Sequence, residues 1–481
     1  MLTASDLEQR QETLREEQSA IDEQLTTLSR RREQVASELI ELDSLIEEAR
    51  SEAEPAGAAA ETGTGRKRAR VAGEPVSKAL PVAPKTWRTL AEVQAHVAAQ
   101  RQAGKLLPFG APGRVPRVYV DGCFDMMHSG HMNAVRQAKL IADSVGGLLI
   151  VGVHTDAEIE LNKGPPVMRD AERLALVSAV KWVDELVFDT PYSMSLPFLD
   201  SIDADYVVHG DDISINANGT DAYAEAKSAG RMKVVKRTEG VSTTDLVGRL
   251  LLLTRSHHTP ALAPSAPVGE PADGIYTGAN ISSSGVSQFL ATTWRLRQFS
   301  TGRVAGQGEV IVYIDGAFDL LHAGHVSALY AARNLGDFLV VGLHDDATVN
   351  AARGQNQPIC SLHERALCVL ALACVDEVIL GAPPVVSADL IRSMNIQVVA
   401  GAAEQDVEAA SDAIRPPKPD RFAVPRTMGI LRPGEPRLPL RLADIVTRII
   451  DNRTRYEARN AKREKKELKY ITSEKTYIPE L

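Results

Sequence analysis

The sequence predicts an α/β protein: two tandem domains, each a parallel sheet with helices on both faces, behind an N-terminal coiled coil. Three observations carry this expectation. From Arg117 onward, short apolar runs alternate with amphipathic stretches, and continuous apolar strands separated by helices belong to sheets buried on both faces. The alternation breaks off in a Pro-, Ser- and Gly-rich stretch and then restarts. Finally, eleven residues occur nearly twice: DGCFDMMHSGH from Asp121 to His131, and DGAFDLLHAGH from Asp315 to His325.

In chain order, residues 1–50 have a period of seven. Leu7, Leu14, Ile21, Leu28, Val35 and Leu42 repeat, and Leu25, Leu39 and Ile46 fill the second seam position. A stripe recurring every ~3.5 residues needs a partner helix to bury it, so a coiled coil that makes a homo-oligomer is expected. Residues 51–110 read as a disordered, basic linker; the cluster RKRAR, Arg66 to Arg70, suits either solvated charge or a nuclear address. Residues 111–255 hold the runs RVYV, LLIVGV, ELVF, YVVH and KVVKR, separated by segments such as MNAVRQAKLIADS. A second linker is expected over 256–308. Residues 309–450 repeat the pattern with VIVYID, FLVVGLH, EVIL and IQVVAG, and 451–481 read as a charged helical tail.

Composition excludes several classes. Among 481 residues the net charge is −9, which gives no electrostatic reason to expect nucleic acid or an anionic membrane as partner. The four cysteines form no CxxC, so neither a disulfide framework nor a zinc knuckle is expected. The opening residues are too polar for a secretory signal, and no apolar run approaches the ~20 residues of a membrane span. A cytoplasmic protein without membrane insertion is the expectation.

The first repeat looks like a site for a polyanion. VYVDG leads into a turn with HSGH where a helix begins, and a helix N-terminus above a strand suits phosphate. Gly122 and Gly130 let backbone approach a ligand, and His128 and His131 can point into one cavity as cationic donors. A zinc pair competes, but no third ligand stands at a suitable spacing. NKGPPVM supplies Lys163, either a phosphate-binding charge or an ordinary surface lysine. VVHGDD places His209, Asp211 and Asp212 at a strand's C-terminal end. KRTEGVSTTD offers Arg237 and the hydroxyls Ser242, Thr243 and Thr244 at another helix start, where STTD also serves simply as an N-cap.

Together these residues resemble the cytidylyltransferases that activate phosphorylated alcohols with CTP. The tandem arrangement, the linker stretch SQFLATTWRLRQFS and the tail YEARNAKREKKE make the chain similar to the ethanolamine-phosphate branch, from about Arg117 to Lys469. The resemblance implies two Rossmann-like nucleotidyltransferase domains that join CTP and phosphoethanolamine into CDP-ethanolamine and pyrophosphate. It implies magnesium with the CTP and no protein-held metal. His128, His131, Lys163 and Arg237 would be catalytic. Substrate would touch Asp121, Gly122, Cys123, Phe124, Asp125, His209, Gly210, Asp211, Tyr223, Thr238, Gly240, Ser242, Thr243 and Thr244. Asp121, Tyr223 and Trp182 are the head-group candidates, because a primary ammonium seeks carboxylates whereas trimethylammonium prefers an aromatic cage. The choice of ethanolamine over choline rests mainly on the tandem architecture. A choline- or glycerol-phosphate cytidylyltransferase, an adenylyltransferase and a non-catalytic nucleotide-binding scaffold are the alternatives.

The second repeat keeps Gly316, His322 and His325. VVAGAA stands where VVHGDD did, so Ala400 and Ala402 are expected to replace His209 and Asp211. Arg353 is a candidate for the place of Lys163, on a longer loop. RTMG, beginning at Arg426, matches RTEG, with Pro433 and Pro436 expected to preclude the helix start that follows. Catalysis by the first repeat, with the second supporting or regulating it, follows as an expectation.

Overall fold

The computed structural model describes residues 84–211, 221–238, 241–252, 255–258, 291–402, 420–434 and 440–456. The coiled coil, the basic cluster, Asp212, Gly240, Pro436 and the tail beyond residue 456 lie outside them.

The first repeat runs β1 (Arg88–Thr89), α1 (Leu90–Gln102), β2 (Arg117–Gly122), α2 (Ser129–Ser144), β3 (Leu148–Val153), α3 (Asp156–Asn162), α4 (Asp170–Ala179), β4 (Glu185–Phe188), α5 (Leu196–Ser201), β5 (Tyr206–Gly210), α6 (Ala224–Ser228), β6 (Met232–Val235) and α7 (Thr243–Leu252). After α8 (Ala291–Phe299), the second repeat runs β7 (Ile311–Gly316), α9 (Ala323–Arg333), β8 (Phe338–Leu343), α10 (Asp346–Arg353), α11 (Leu362–Leu370), β9 (Glu377–Leu380), α12 (Ala388–Ser393), β10 (Val398–Ala402), α13 (Ala423–Thr427), β11 (Leu431–Gly434) and α14 (Leu442–Asp451).

Both sheets are parallel throughout, ordered β1-β4-β3-β2-β5-β6 and β11-β10-β7-β8-β9. Strand order reverses at β2/β5 and at β7/β10. In such sheets, ligands bind outside the strands' carboxyl ends at that switch point. The apolar runs are buried as expected: Val118, Val120, Leu149 and Val151 on one face, Tyr119, Ile150 and Val207 on the other. Fully burying each of the larger aliphatic ones contributes ~1.5–3 kcal/mol.

The two repeats share one apolar core around a local twofold relation. α2 packs on α11, and α9 packs on α4. Val180 and Leu372 form an antiparallel bridge, flanked by Lys181 N–H to Ala371 O at 2.9 Å and Ala373 N–H to Ala179 O at 2.8 Å. This is how a self-complementary dimer interface is built, here between two halves of one chain.

Two stretches assigned to linkers are structured. Within 51–110, β1 joins the edge of the first sheet, and α1 starts at a capping box in which Thr89 accepts from the Glu92 amide and Glu92 from the Thr89 amide. Val93 and Val97, one turn apart, are its buried residues. Within 256–308, α8 ends at buried Phe299, whose ring meets Trp182 edge-on at 5.1 Å. Composition masked both, because a short helix seated on someone else's core needs only two or three apolar residues. Among the described residues, no helix is long and apolar enough to cross a membrane.

Candidate active site

The turn from β2 into α2 is under strain that other residues offset. Phe124 and Met126 sit at φ 47° and 48°, in the left-handed region that costs non-glycine residues ~1–2 kcal/mol each. Between them, Asp125 accepts the amides of Val167 (3.0 Å) and Met168 (2.8 Å), and Thr243 Oγ1 donates to its carbonyl at 3.1 Å. Arg173, wholly buried, donates to the Cys123 carbonyl at 2.7 Å and to Asp156 and Asp170 at 2.9 and 2.6 Å. Asp125 thus ties three loops together. The ER pair that ends in Arg173 belongs to the motifs that carry the resemblance and recurs as Glu364–Arg365, but the sequence alone assigned Arg173 no role.

His128 caps α2: its Nδ1 accepts from the Gly130 amide at 3.1 Å. A Cβ at position 130 would lie 2.9 Å from the His128 ring, so any larger residue there would have to displace that ring. With Nδ1 accepting, the neutral ring carries its proton on Nε2 and is a donor there. Burial, and then the charges of His131, Arg237 and Arg249, hold its pKa well below the usual histidine value. His128 is therefore held neutral, and the imidazolium expected from sequence needs a polyanion beside it. His131 lies parallel enough to share the space, with ring centroids 4.0 Å apart, and Phe124 meets its edge at 5.9 Å.

At the end of β2, Asp121 is buried and accepts the Tyr223 hydroxyl at 2.7 Å on Oδ1, while its Oδ2 has no hydrogen-bond partner. Burial pushes its pKa up to about 7, against the opposing effects of the Tyr223 hydrogen bond and the Lys163 charge. Tyr223 stacks at 4.4 Å on His209, whose Nδ1 lies 3.1 Å from the Gly210 carbonyl. Lys163, the residue capping the end of α3, sits 5.4 Å over the Tyr192 ring. One neighbour escaped sequence reading. His154, buried at the end of β3, has Nδ1 2.9 Å from the Thr190 carbonyl, and burial takes its pKa to about 4, with the Lys163 and His209 charges acting in the same direction. Its counterpart His344 repeats the bond to Ala382 at 2.9 Å, so comparing VGVHTD with VGLHDD would have found it.

The loops after β5 and β6 are organised by backbone. Asp211 accepts the Arg237 amide at 2.9 Å, which sets the loop after β6. Thr238 Oγ1 accepts from Asn133 on α2 at 3.0 Å. Ser242 Oγ accepts from the Asp245 amide at 3.0 Å, as an N-cap does, and Thr244 lies in the first turn of α7. Asp121, His154, Lys163, His209 and Tyr223 are brought together; so are His128, His131 and Arg237. Trp182 is not: it packs on Phe299 between the repeats, and Lys181 lies 5.7 Å over its ring.

The second repeat corrects three sequence alignments. Pairing of β10 with β7 and β11 puts Gly401 where β5 has His209 and Ala400 where it has Val208. The motif match had slipped by one residue, which turns a strand over. Arg426 is not the equivalent of Arg237: it lies in α13, before the last strand, and pairs with Asp420 as Lys227 pairs with Asp221. Nor do prolines prevent the final helix. Pro433 lies in β11, and α14 starts at Leu442, eleven residues after the start of β11, the spacing that separates α7 from β6. What is lost is chemistry: Arg441 and Leu442 stand where Ser242 and Thr243 do. Asp315, the counterpart of Asp121, forms an ion pair with Arg421, and Phe422 replaces Tyr223.

The pattern of the cytidylyltransferase-like family matches residues 119–249 and 313–418. Over 356 residues the chain is 47% identical to the ethanolamine-phosphate cytidylyltransferase of Dictyostelium discoideum, spanning 74% of this chain and 96% of that one. It is 47% identical over 372 residues to that of Arabidopsis thaliana, spanning 75% and 86%. With that of Mus musculus it shares 42% over 383 residues, spanning 75% and 92%.

Proposed function

This chain belongs to the ethanolamine-phosphate cytidylyltransferase family, and we propose on that premise how its first repeat works. The reaction joins CTP and phosphoethanolamine into CDP-ethanolamine and pyrophosphate. A phosphate oxygen of phosphoethanolamine attacks the α-phosphorus of CTP. The bond from that phosphorus to the bridging oxygen breaks, and its electrons leave with pyrophosphate. The attacking oxygen is already anionic, so no base is needed and no covalent enzyme intermediate forms. The work is to bring two polyanions together and to stabilise charge on the leaving oxygen.

In this reading His128, donating from Nε2, and His131 face the α-phosphate and the bridging oxygen. Arg237 and the N-terminus of α7 take the β- and γ-phosphates. Lys163 stands between the two substrates. The triphosphate would arrive as its magnesium complex, the ion offsetting charge on the phosphates.

The observation that carries the assignment is the buried carboxylate at the end of β2. Asp121 Oδ2 lacks a donor, and a primary ammonium supplies N–H groups where trimethylammonium supplies none. In the second repeat the same carboxylate already has a cation, Arg421, built into the chain. Asp121→Asn, assayed with phosphoethanolamine and with phosphocholine as competitor, should raise the KM for phosphoethanolamine ~30-fold or more, the range of a hydrogen bond to a charged group. The KM for CTP should change little. An unaltered KM for phosphoethanolamine would place the ammonium elsewhere.

A further inference from the structure

The second repeat reaches across to the loop that presents Lys163. Arg448, on α14, forms a bidentate pair with Glu172 at 2.7 and 2.8 Å and lies 3.4 Å from the Val167 carbonyl. Glu172 has a second duty, accepting the Arg169 amide at 2.9 Å at the start of α4. Beyond α14, buried Tyr456 donates to the Pro166 carbonyl at 3.3 Å, and Arg455 pairs with Glu160 on α3 at 2.5 Å. The C-terminal segment therefore grips residues before, within and after Lys163-Gly164-Pro165-Pro166.

The grip is reciprocal. Arg249, at the same place on α7, pairs with Glu364 at 2.8 and 3.0 Å and donates to the Ile359 carbonyl at 3.1 Å. His257 and His258 lie 2.8 and 3.0 Å from the Pro358 carbonyl. Each repeat's last helix thus holds the other's loop. Only the first repeat's loop carries Lys163.

We infer that Arg448 is a positioning residue for cytidylyl transfer: through Glu172 and the Val167–Pro166 backbone it holds Lys163 at the meeting point of the two phosphates. This rests on the reading of Lys163 given above. Such a residue acts on the transition state, because a displacement of about 1 Å in a positioned charge can cost up to ~10² in rate. It also explains how a repeat without its own phosphate clasp serves catalysis.

The test uses the full chain and five variants: Lys163→Ala, Arg448→Met, Glu172→Gln, the double variant Lys163→Ala/Arg448→Met, and Glu364→Gln. Steady-state kinetics with both substrates and thermal unfolding are measured for each. Arg448→Met and Glu172→Gln should lower kcat about tenfold with small changes in KM. In the Lys163→Ala background, Arg448→Met should have almost no further effect, since its target is gone. Glu364→Gln removes the mirror-image pair and should lower the unfolding midpoint comparably while kcat stays within about twofold. If Arg448→Met folds poorly, Glu172→Gln carries the same comparison. Wild-type kcat in Arg448→Met and Glu172→Gln, or a loss that adds fully to that of Lys163→Ala, overturns the inference. Normal turnover by Lys163→Ala would instead remove the site reading beneath it.

Discussion

At the end of the central strand, the first repeat sets Asp121 against a tyrosine hydroxyl, and the second sets Asp315 against an arginine. Around these two points the repeats agree closely. Phe124 and Met126 find the same left-handed turn as Phe318 and Leu320, at φ 49° and 45°. Asp319 accepts the Ile359 and Cys360 amides as Asp125 accepts those of Val167 and Met168. Buried Arg365 holds the Ala317 carbonyl at 2.7 Å, as Arg173 holds that of Cys123. The His322 and His325 centroids are 3.7 Å apart. The comparison teaches that the HxGH turn is first a folding motif. Strain and buried charge keep it in shape in both repeats, whereas Arg441 and Leu442 stand in the second where Ser242 and Thr243 stand in the first.

The largest expected difference between the repeats is in turnover. His128→Ala should reduce kcat about 10³-fold, while His322→Ala should leave it within about threefold, measured as pyrophosphate release from CTP. Comparable losses from both would mean that the repeats act as equal catalysts.

The shared frame predicts the reverse pattern for stability. Arg173→Met and Arg365→Met should each destabilise the protein by ~3 kcal/mol or more, measured by denaturant unfolding, because each leaves buried partners without their cation. The second should be at least as severe: Asp346 is 1% exposed beside Arg365, whereas Asp156 and Asp170 are each 37% exposed and can turn to water. Indifference to either change would remove the frame from one repeat.

A smaller effect follows from the pKa of Asp121, raised to about 7 by burial. The ammonium needs the ionised carboxylate, which in the free protein dominates above that value and is lost as pH falls through it. The KM for phosphoethanolamine should therefore rise by up to about tenfold per unit below pH 7, and Asp121→Asn should flatten that component of the profile. The sign for folding is opposite. A carboxyl whose folded pKa exceeds its unfolded value favours the folded state at low pH and loses that contribution as pH rises through 7. Phosphoethanolamine should restore it. A KM profile that is the same in wild type and variant would break the link between Asp121 and the head group.

Much of this was legible in the residues themselves. Apolar strands at a regular spacing dictate a parallel sheet, because nothing else buries such runs on both faces, and two copies of one motif dictate two sheets. The HxGH turn, Lys163 and the loops after β5 and β6 were readable because the C-terminal ends of such strands share one rim. Other features depend on contacts between distant segments. Strand register moved His209's counterpart from Ala400 to Gly401. The pairing of Lys227 and Arg426 with their aspartates showed that RTMG only mimics RTEG. His154 and Arg173 showed only as positions that recur in both repeats, and Arg421 carries no signature at all, since their roles arise from what the fold packs beside them.

The sequence by itself determined the repeated α/β architecture and the kinds of charge available at its rim, because hydrophobic period and turn chemistry act over a few neighbouring residues. Only the tertiary structure decided which carboxylate meets a tyrosine and which an arginine, and that the last helix of each repeat holds the other's loop. The contacts between the repeats join residues up to 295 positions apart. They are set by burial and by the twofold packing of one repeat on the other, and no local pattern encodes them.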